Sequence, residues 1–314
     1  MRCPVCDSPD LAPFASRERI AEELRFRHEF FASRIDGAID EVEMKDRFDV
    51  LHRTASAILI CEACHVLVRE DDCRDFGSDP YPVYVMERML RAQIDAYRAK
   101  EHWLRPMLTV PANVIEVGSY VGAFLHVAHE WGWNATGVDV GDDTARFATA
   151  HSYPTRHATL EECAFEKASF DAVFIWNTFE QVDDPKALLK ESRRIIRDGG
   201  LLAIRTPNAT FYATEHDFED LAWSNLLGFP HRFGFTPAAL ERLAHDSGFE
   251  LIECRGDTYM PTMRERFTAI ARREETEVTR ALRESGRAPW FECYFRSIVT
   301  SPPLNDSSVP PGFR

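Results

Sequence analysis

The sequence predicts an α/β fold: a doubly wound, mostly parallel sheet that follows a small module built on cysteines. Three observations carry this expectation. From Asn113 onward, apolar strand-like runs alternate with segments of helical period, the order that a parallel sheet covered on both faces requires. Within that region, Val114-Ile115-Glu116-Val117-Gly118-Ser119-Tyr120-Val121-Gly122-Ala123-Phe124 reads as a buried strand, a tight glycine turn and the first turn of a helix. Ahead of it stand two C-x-x-C pairs, Cys3/Cys6 and Cys61/Cys64.

Two such pairs read as a structural zinc site with four thiolate ligands, Cys3, Cys6, Cys61 and Cys64. With all four positions filled by sulfur, no coordination site is left open for metal catalysis. Ala57 to Ile60 reads as a strand running into the second knuckle, and His65 to Arg69 as the return strand. The 54 residues between the pairs exceed those of a compact ribbon. Part of that insertion, Arg17 to Ile35, has the period of a helix, with Ile20, Leu24, Phe26, Phe30 and Phe31 on an imperfect apolar stripe. It reads as a solvated helix packed on the module; a lid over an acceptor and a homodimer contact are the sharper alternatives. The module is expected over residues 1–80, ending in the polar stretch Asp71 to Pro82. A linking or capping helix follows over 81–110, read as one helix from Val83 to Leu104. Tyr81 and Tyr84 are its candidate capping aromatics. The sheet domain occupies 111–300, and the proline-rich tail 301–314 is expected to be disordered.

The chemistry concentrates around the glycine turn. Gly118 and Gly122 allow a sharp bend and a close approach of backbone to ligand. A pyrophosphate-binding turn has G-x-G-x-x-G, whereas here Glu116 precedes Gly118 by two residues and Gly122 follows at the fourth. A carboxylate at that mouth repels phosphate and suits a cationic ligand. Ala135 to Val140 is a second strand carrying Asp139, 23 residues after Glu116, where an acid can take the hydroxyls of a ribose.

With these residues in place, the chain resembles the class I S-adenosylmethionine-dependent methyltransferases. The likeness continues through Phe170 to Asn177 as a fourth strand and Phe179-Glu180-Gln181-Val182-Asp183-Asp184-Pro185 as the loop after it. A helix from Ala187 and a fifth strand from Leu201 to Asn208 follow, then Phe235-Thr236-Pro237 and Gly248-Phe249. It spans roughly Asn113 to Cys254, and Gln181 departs from it where relatives often carry histidine. The resemblance implies a seven-stranded sheet, with Trp290 to Arg296 as the antiparallel seventh strand. It also implies an S-adenosylmethionine site drawn from Glu116, Gly118, Ser119, Tyr120, Gly122, Asp139 and Val140, from Thr159 and Leu160 near the adenine, and from Asn177 and Phe179 near the methionine end or the acceptor. A zinc module ahead of this fold resembles some sugar and natural-product methyltransferases.

The segment from Ala209 to Gly234 is too long for a simple connection and rich in aromatic and polar residues. It reads as the wall of an acceptor pocket at the sheet's carboxyl edge. His231 and His216 on this segment are candidate bases, and Glu180 is the third candidate catalytic residue. A net charge of −14 and a sequence pI near 5.3 argue against a nucleic-acid partner and favour a small-molecule acceptor. The sequence holds no apolar run of membrane-spanning length and no apolar signal segment, so a cytoplasmic protein with reduced thiols is expected. The expected activity is methyl transfer from S-adenosylmethionine to an oxygen or carbon of a small metabolite. Two alternatives stand beside it: a nicotinamide-dependent oxidoreductase, whose pyrophosphate loop Gly118 to Gly122 does not supply, and a zinc-ribbon adaptor with an inactive domain.

Overall fold

A computed structural model describes residues 1–22, 25, 56–70, 83–209, 231–257 and 290–299 of the chain. Eleven strands form two sheets among these residues. The larger sheet has seven strands. β4 (Asn113–Val117), β5 (Asn134–Asp139), β6 (Thr155–His157), β7 (Phe170–Trp176) and β8 (Ile196–Pro207) are mutually parallel. Beyond β8, β11 (Trp290–Ser297) runs antiparallel and pairs in turn with β10 (Phe249–Asp257), so the order is β10-β11-β8-β7-β4-β5-β6. This is the Rossmann-like methyltransferase architecture, with the antiparallel strand where the sequence led us to expect it.

The central strands are apolar because both faces are covered. Six of the seven residues of β7 are buried, and Phe174 and Trp176 pack with Phe124 and Trp133 in an aromatic layer on one face. That layer is roofed by α1 (Val83–Arg98) and α3 (Ala123–Glu130); α4 (Asp142–Ala150) follows β5. The other face is covered by α5 (Pro185–Ile195) and α6 (Pro237–Asp246). Both of these begin on a sequence-legible cap. Asp184 accepts from Lys186 N at 2.9 Å and Ala187 N at 3.0 Å, and Thr236 accepts from Ala239 N at 3.1 Å, each followed by a proline that forfeits no needed donor.

The expected single helix from Val83 to Leu104 is broken. It ends at Arg98, turns through Ala99 and Lys100, and resumes as the short α2 (Glu101–Leu104). The physical reason lies beneath the break. Lys100 is buried, and its ammonium pairs with the buried Glu292 of β11. Glu292 also accepts from the Tyr294 hydroxyl at 2.5 Å and lies 3.7 Å from Arg205 Nε, while Trp103 Nε1 donates to the Tyr294 hydroxyl at 3.1 Å. A continuous helix would carry Lys100 past this anchor.

The smaller sheet has the order β1-β2-β3-β9, all antiparallel. β1 (Leu11–Ala15), β2 (Ile58–Cys61) and β3 (Leu67–Arg69) come from the cysteine module, with the strand entering the second knuckle and the strand leaving it where the sequence placed them. The fourth, β9 (Phe233–Gly234), comes from the end of the long segment after β8. Cys3, Cys61, Cys64, Val66 and Val68 share one continuous core with Val117, Ile175, Phe179, Phe235 and Leu240. The division at residues 80 and 110 is therefore one of sequence order, and the two sheets meet in a common interior. Residues 210–230 of the expected acceptor wall (Ala209 to Gly234), most of the helical insertion, the linker 71–82 and the tail 301–314 lie outside the described residues.

Glu292 holds two buried cations, so removing it leaves charge without a counter-charge. Glu292→Ala is expected to lower the unfolding free energy by about 3–5 kcal/mol, read from the urea midpoint at constant m-value. A loss below about 1 kcal/mol would mean that Lys100 and Arg205 find equivalent partners.

Candidate functional site

The strand order reverses between β4 and β7, the place where a doubly wound sheet is expected to bind a ligand in the crevice beyond its carboxyl ends. The turn after β4 is held by the neighbouring strand: Gly118 N and Ser119 N both donate to Val138 O, at 2.8 and 3.1 Å. Gly118 and Gly122 have φ of +72° and +76°, and a Cβ on them would stand 2.0 Å from the Thr178 hydroxyl and 2.4 Å from the Tyr153 ring. Only glycine meets both the dihedral and the space. Tyr120, between them, also has positive φ and donates its N–H to Asp139 Oδ2 at 2.7 Å.

Asp139 therefore belongs to the turn as well as to the crevice. Its Oδ1 accepts from Gly141 N at 2.9 Å and the Thr144 hydroxyl at 2.6 Å. Three of roughly four acceptor positions of a carboxylate are in use, which leaves it less capacity for ribose than the sequence suggested. Glu116 is different. It is 3% exposed, and its Oε2 has no hydrogen-bond partner among the described residues. Burial, reinforced by the nearby charge of Asp139, holds its carboxyl well above the usual carboxylate range. Such a group gains most from a ligand that brings positive charge or a donor.

The other residues expected around the cofactor divide. Asn177 stands at the tip of β7 with φ +53°; its N–H donates to Arg205 O at 2.9 Å, and its Oδ1 accepts from the Arg205 guanidinium. Val140 is 67% exposed, and Ser119 is buried against Gly137. Thr159 is exposed and closes a local turn, its N–H and hydroxyl both donating to Glu162 at 2.9 Å. Leu160 and Phe179, also expected around the cofactor, are core residues here. Both are buried in the core, Phe179 with its ring centroid 5.0 Å from that of Phe235, because the loop after β7 is pinned from beneath by apolar packing.

Of the candidate catalytic residues, Glu180 and His231 come together and His216 lies outside the described residues. His231 Nδ1 is 3.6 Å from Glu180 Oε1, and both side chains are almost wholly buried. The backbone fixes the approach: Arg232 N and Phe233 N both donate to Glu180 O, at 2.9 and 3.1 Å. Burial pushes the Glu180 carboxyl up to about 7, with Thr206 and Arg205 offsetting part of that effect. Burial, aided by the charge of Arg69, pushes His231 down to about 3. The pair thus crosses neutral pH as a carboxyl poised to lose a proton beside an imidazole kept uncharged.

The four knuckle cysteines converge. Their sulfurs lie within 4.8 Å of one another, with Cys3 to Cys64 at 3.6 Å and Cys6 to Cys61 at 3.5 Å. A tetrahedral zinc with bonds of about 2.3 Å separates its sulfurs by about 3.8 Å. The two knuckles are built alike. Asp7 N donates to Cys3 O and Cys3 N to Ser8 O, both at 2.8 Å; His65 N donates to Cys61 O at 2.7 Å and Cys61 N to Val66 O at 3.0 Å. Asp7 and His65, each just after the second cysteine, both have positive φ. A cavity of about 630 Å³ opens between the knuckles and helices α5 and α6, and none of the crevice carboxylates lines it.

Arg69, Arg205, Lys100 and Glu292 were not singled out from the sequence. A charged residue inside an apolar strand run, as Arg205 is in Ala203-Ile204-Arg205-Thr206 and Glu292 in Trp290-Phe291-Glu292-Cys293, is the signal that marks two of them.

Comparison with known proteins gives the family. Residues 88–254 match a family model described as a methyltransferase domain. An uncharacterized protein of Mycobacterium tuberculosis is 32% identical over 164 residues, which cover 50% of this chain and 54% of that protein. A ubiquinone biosynthesis O-methyltransferase of Cupriavidus pinatubonensis is 25% identical over 173 residues, covering 48% of this chain and 64% of that one. The chain spans about half to two thirds of the length of these curated relatives. Among solved structures, a SAM-dependent methyltransferase from Archaeoglobus fulgidus aligns over 69% of this chain and 100% of its own, at 16% identity and a TM-score of 0.49.

The shifts of Glu180 and His231 oppose each other. Glu180 is raised from 4.5, so the folded state holds the proton more tightly and its contribution to stability is lost as pH rises from 4.5 to about 7. His231 is lowered from 6.5, so its contribution is lost as pH falls through 6.5 towards about 3. Between 4.5 and 6.5 the two slopes cancel in the intact pair. Glu180→Gln should unmask a stability that declines on acidification below pH 6.5, and His231→Gln one that declines as pH rises towards 7. Chemical denaturation across this range reads both, and parallel pH curves for the two variants would contradict the assignment.

Proposed function

Since the chain belongs to the methyltransferase-domain family, we propose that it is an S-adenosylmethionine-dependent methyltransferase acting on an oxygen or carbon of a small metabolite. The observation that carries this reading is Glu116: a buried carboxylate with an orphaned oxygen, beside Asp139, over a turn that admits no Cβ at Gly118 or Gly122. A nicotinamide dinucleotide would bring a pyrophosphate to this mouth, where the Asp139 carboxylate repels it and Glu116 offers no compensating cation. The net charge of −14 likewise favours a small acceptor over nucleic acid. Relatives named as ubiquinone biosynthesis O-methyltransferases favour oxygen over carbon as the atom methylated. Among the described residues, no helix is long and apolar enough to cross a membrane.

In this reading Glu116 takes the positive end of the cofactor and Asp139 a ribose hydroxyl, with Gly118, Ser119 and Tyr120 lining the turn and Asn177 beside the methionine end. The bound cofactor supplies a methyl carbon already activated for in-line displacement by its sulfonium. The chain has three tasks left. It holds the acceptor's lone pair within about 3–3.5 Å of that carbon, it excludes water, and it receives a proton where the acceptor must lose one. Glu180, whose carboxyl is raised to about 7, is the candidate acceptor of that proton, with the uncharged His231 beside it as the alternative. His216 is a further candidate base.

We read the four cysteines as a structural zinc site, since four buried or half-buried sulfurs at tetrahedral spacing match a site closed to substrate. Burial pushes the Cys3 and Cys64 thiols up, which a divalent cation reverses by binding the thiolates. The purified protein should contain one zinc per chain by elemental analysis. Cys64→Ser should lose it and lower the melting temperature, whereas full metal retention would exclude the site.

Calorimetric titration with S-adenosylmethionine and with NAD tests the activity class. Binding of the first alone is expected, and Asp139→Ala should weaken it by an order of magnitude or more. Binding of NAD alone would replace the reading with an oxidoreductase, and binding of neither would leave a zinc-bearing adaptor.

A further inference from the structure

β3 leaves the second knuckle three residues after Cys64 and lies against β9, with Leu67 opposite Gly234 and Val68 opposite Phe233. At the end of this short ladder stands Arg69, which is 8% exposed. A guanidinium so placed must keep its donors satisfied. Arg69 does so on main-chain carbonyls: Nε donates to His231 O at 3.0 Å and Nη1 to Ser56 O at 3.4 Å, while its own N–H donates to Arg232 O at 3.0 Å. From the opposite side, the N–H groups of Arg232 and Phe233 donate to the Glu180 carbonyl. The segment 231–233 is thus held between a residue of the cysteine module and the loop that carries Glu180. The His231 imidazole is delivered at one end of that segment, 3.6 Å from the Glu180 carboxyl.

We infer that Arg69 is a positioning residue: by gripping the His231 carbonyl it seats the imidazole against the Glu180 carboxyl, so that the cysteine module forms part of the acceptor side of the site. The functional consequence rests on the proposed reading of His231 and Glu180, while the geometry stands without it. Among the described residues, charged groups reach His231 from several elements. Glu180 faces it from the loop after β7 and Arg69 from β3. Arg232, paired with Asp183, adjoins it in sequence, and Arg205 of β8 acts on Glu180. Arg69 has two effects on the ring, one through the carbonyl it holds and one through its charge, which disfavours the imidazolium.

The test uses the full-length, metal-loaded protein with Arg69→Met and Arg69→Lys. The His231 imidazole is followed by NMR and assigned by its loss in His231→Gln. S-adenosylhomocysteine is the calorimetric probe of the cofactor crevice. In the parent, His231 should stay uncharged well below pH 6.5. In Arg69→Met its resonances should move, and it should take up a proton about one pH unit higher or more. Arg69→Lys, which keeps the charge but not the fork, should recover the titration and not the resonance positions. Affinity for S-adenosylhomocysteine should change by less than about twofold in both. Superimposable His231 spectra and titrations in parent and Arg69→Met would overturn the inference. If only Arg69→Lys folds, unshifted His231 resonances in it would do the same. A parent that binds no S-adenosylhomocysteine would remove the cofactor reading and leave the His231 measurement intact.

Discussion

Two carboxyl groups are buried at the carboxyl edge of one parallel sheet, and their desolvation shapes what surrounds them. Glu116 ends up almost without water beside Asp139, and Glu180 without water beside an uncharged imidazole. A buried carboxylate left without partners is unfavourable by several kcal/mol, so each must protonate, pair or await a ligand. The sheet order forces the location. β4 and β7 are neighbours where the strand order reverses, and backbone bonding pins each loop from one side: Val138 O under Gly118 and Ser119, Arg205 O under Asn177. The acids sit where the scaffold is least able to move away from them.

The cysteine module is the second consequence of that edge. Alone it has little apolar surface, and small modules of this size depend on metals or on a neighbour's core. Here it has the cysteine cluster and shares the neighbour's core: Val66 and Val68 pack with Phe179 and Phe235, and its sheet is completed by two residues from beyond β8. Among the described residues, the main chain of 231–234 is therefore attached to β3, Arg69 included, and to Glu180.

Much of this was legible in the sequence. The strand, turn and helix around Gly118, the acid ending β5, the antiparallel strand at Trp290 and the paired knuckles all follow from local rules: apolar period, glycine where φ is positive, and cysteine spacing. What escaped depends on partners distant in sequence. Lys100 looks like one more charge on an amphipathic helix until Glu292, 192 residues later, draws it inward and breaks the helix. Arg69 looks like a solvated strand end until β9 arrives beside it. Phe179 and Leu160 also pack in the core, Phe179 against Phe235, a contact that local sequence rules do not reveal. Asp139, where the sequence allows a ribose ligand, also holds its own turn through bonds to Tyr120, Gly141 and Thr144.

β8 shows how one strand serves both halves of the edge. Successive residues of a strand point to opposite faces. Arg205 turns to the aromatic face, where it joins Glu292 and holds Asn177, and Thr206 turns to the other, beside Glu180. The crevice tip at Asn177 is thereby tied to the linking helix through Arg205, Glu292 and Lys100. The Glu180 and His231 pair is tied to the cysteine module through β9 and Arg69. Two separate polar supports converge on adjacent residues of a strand that is buried on both sides, so the relative placement of Asn177 and Glu180 is set by the rigid backbone between them. A methyl transfer that tolerates little misplacement is best built across such a strand.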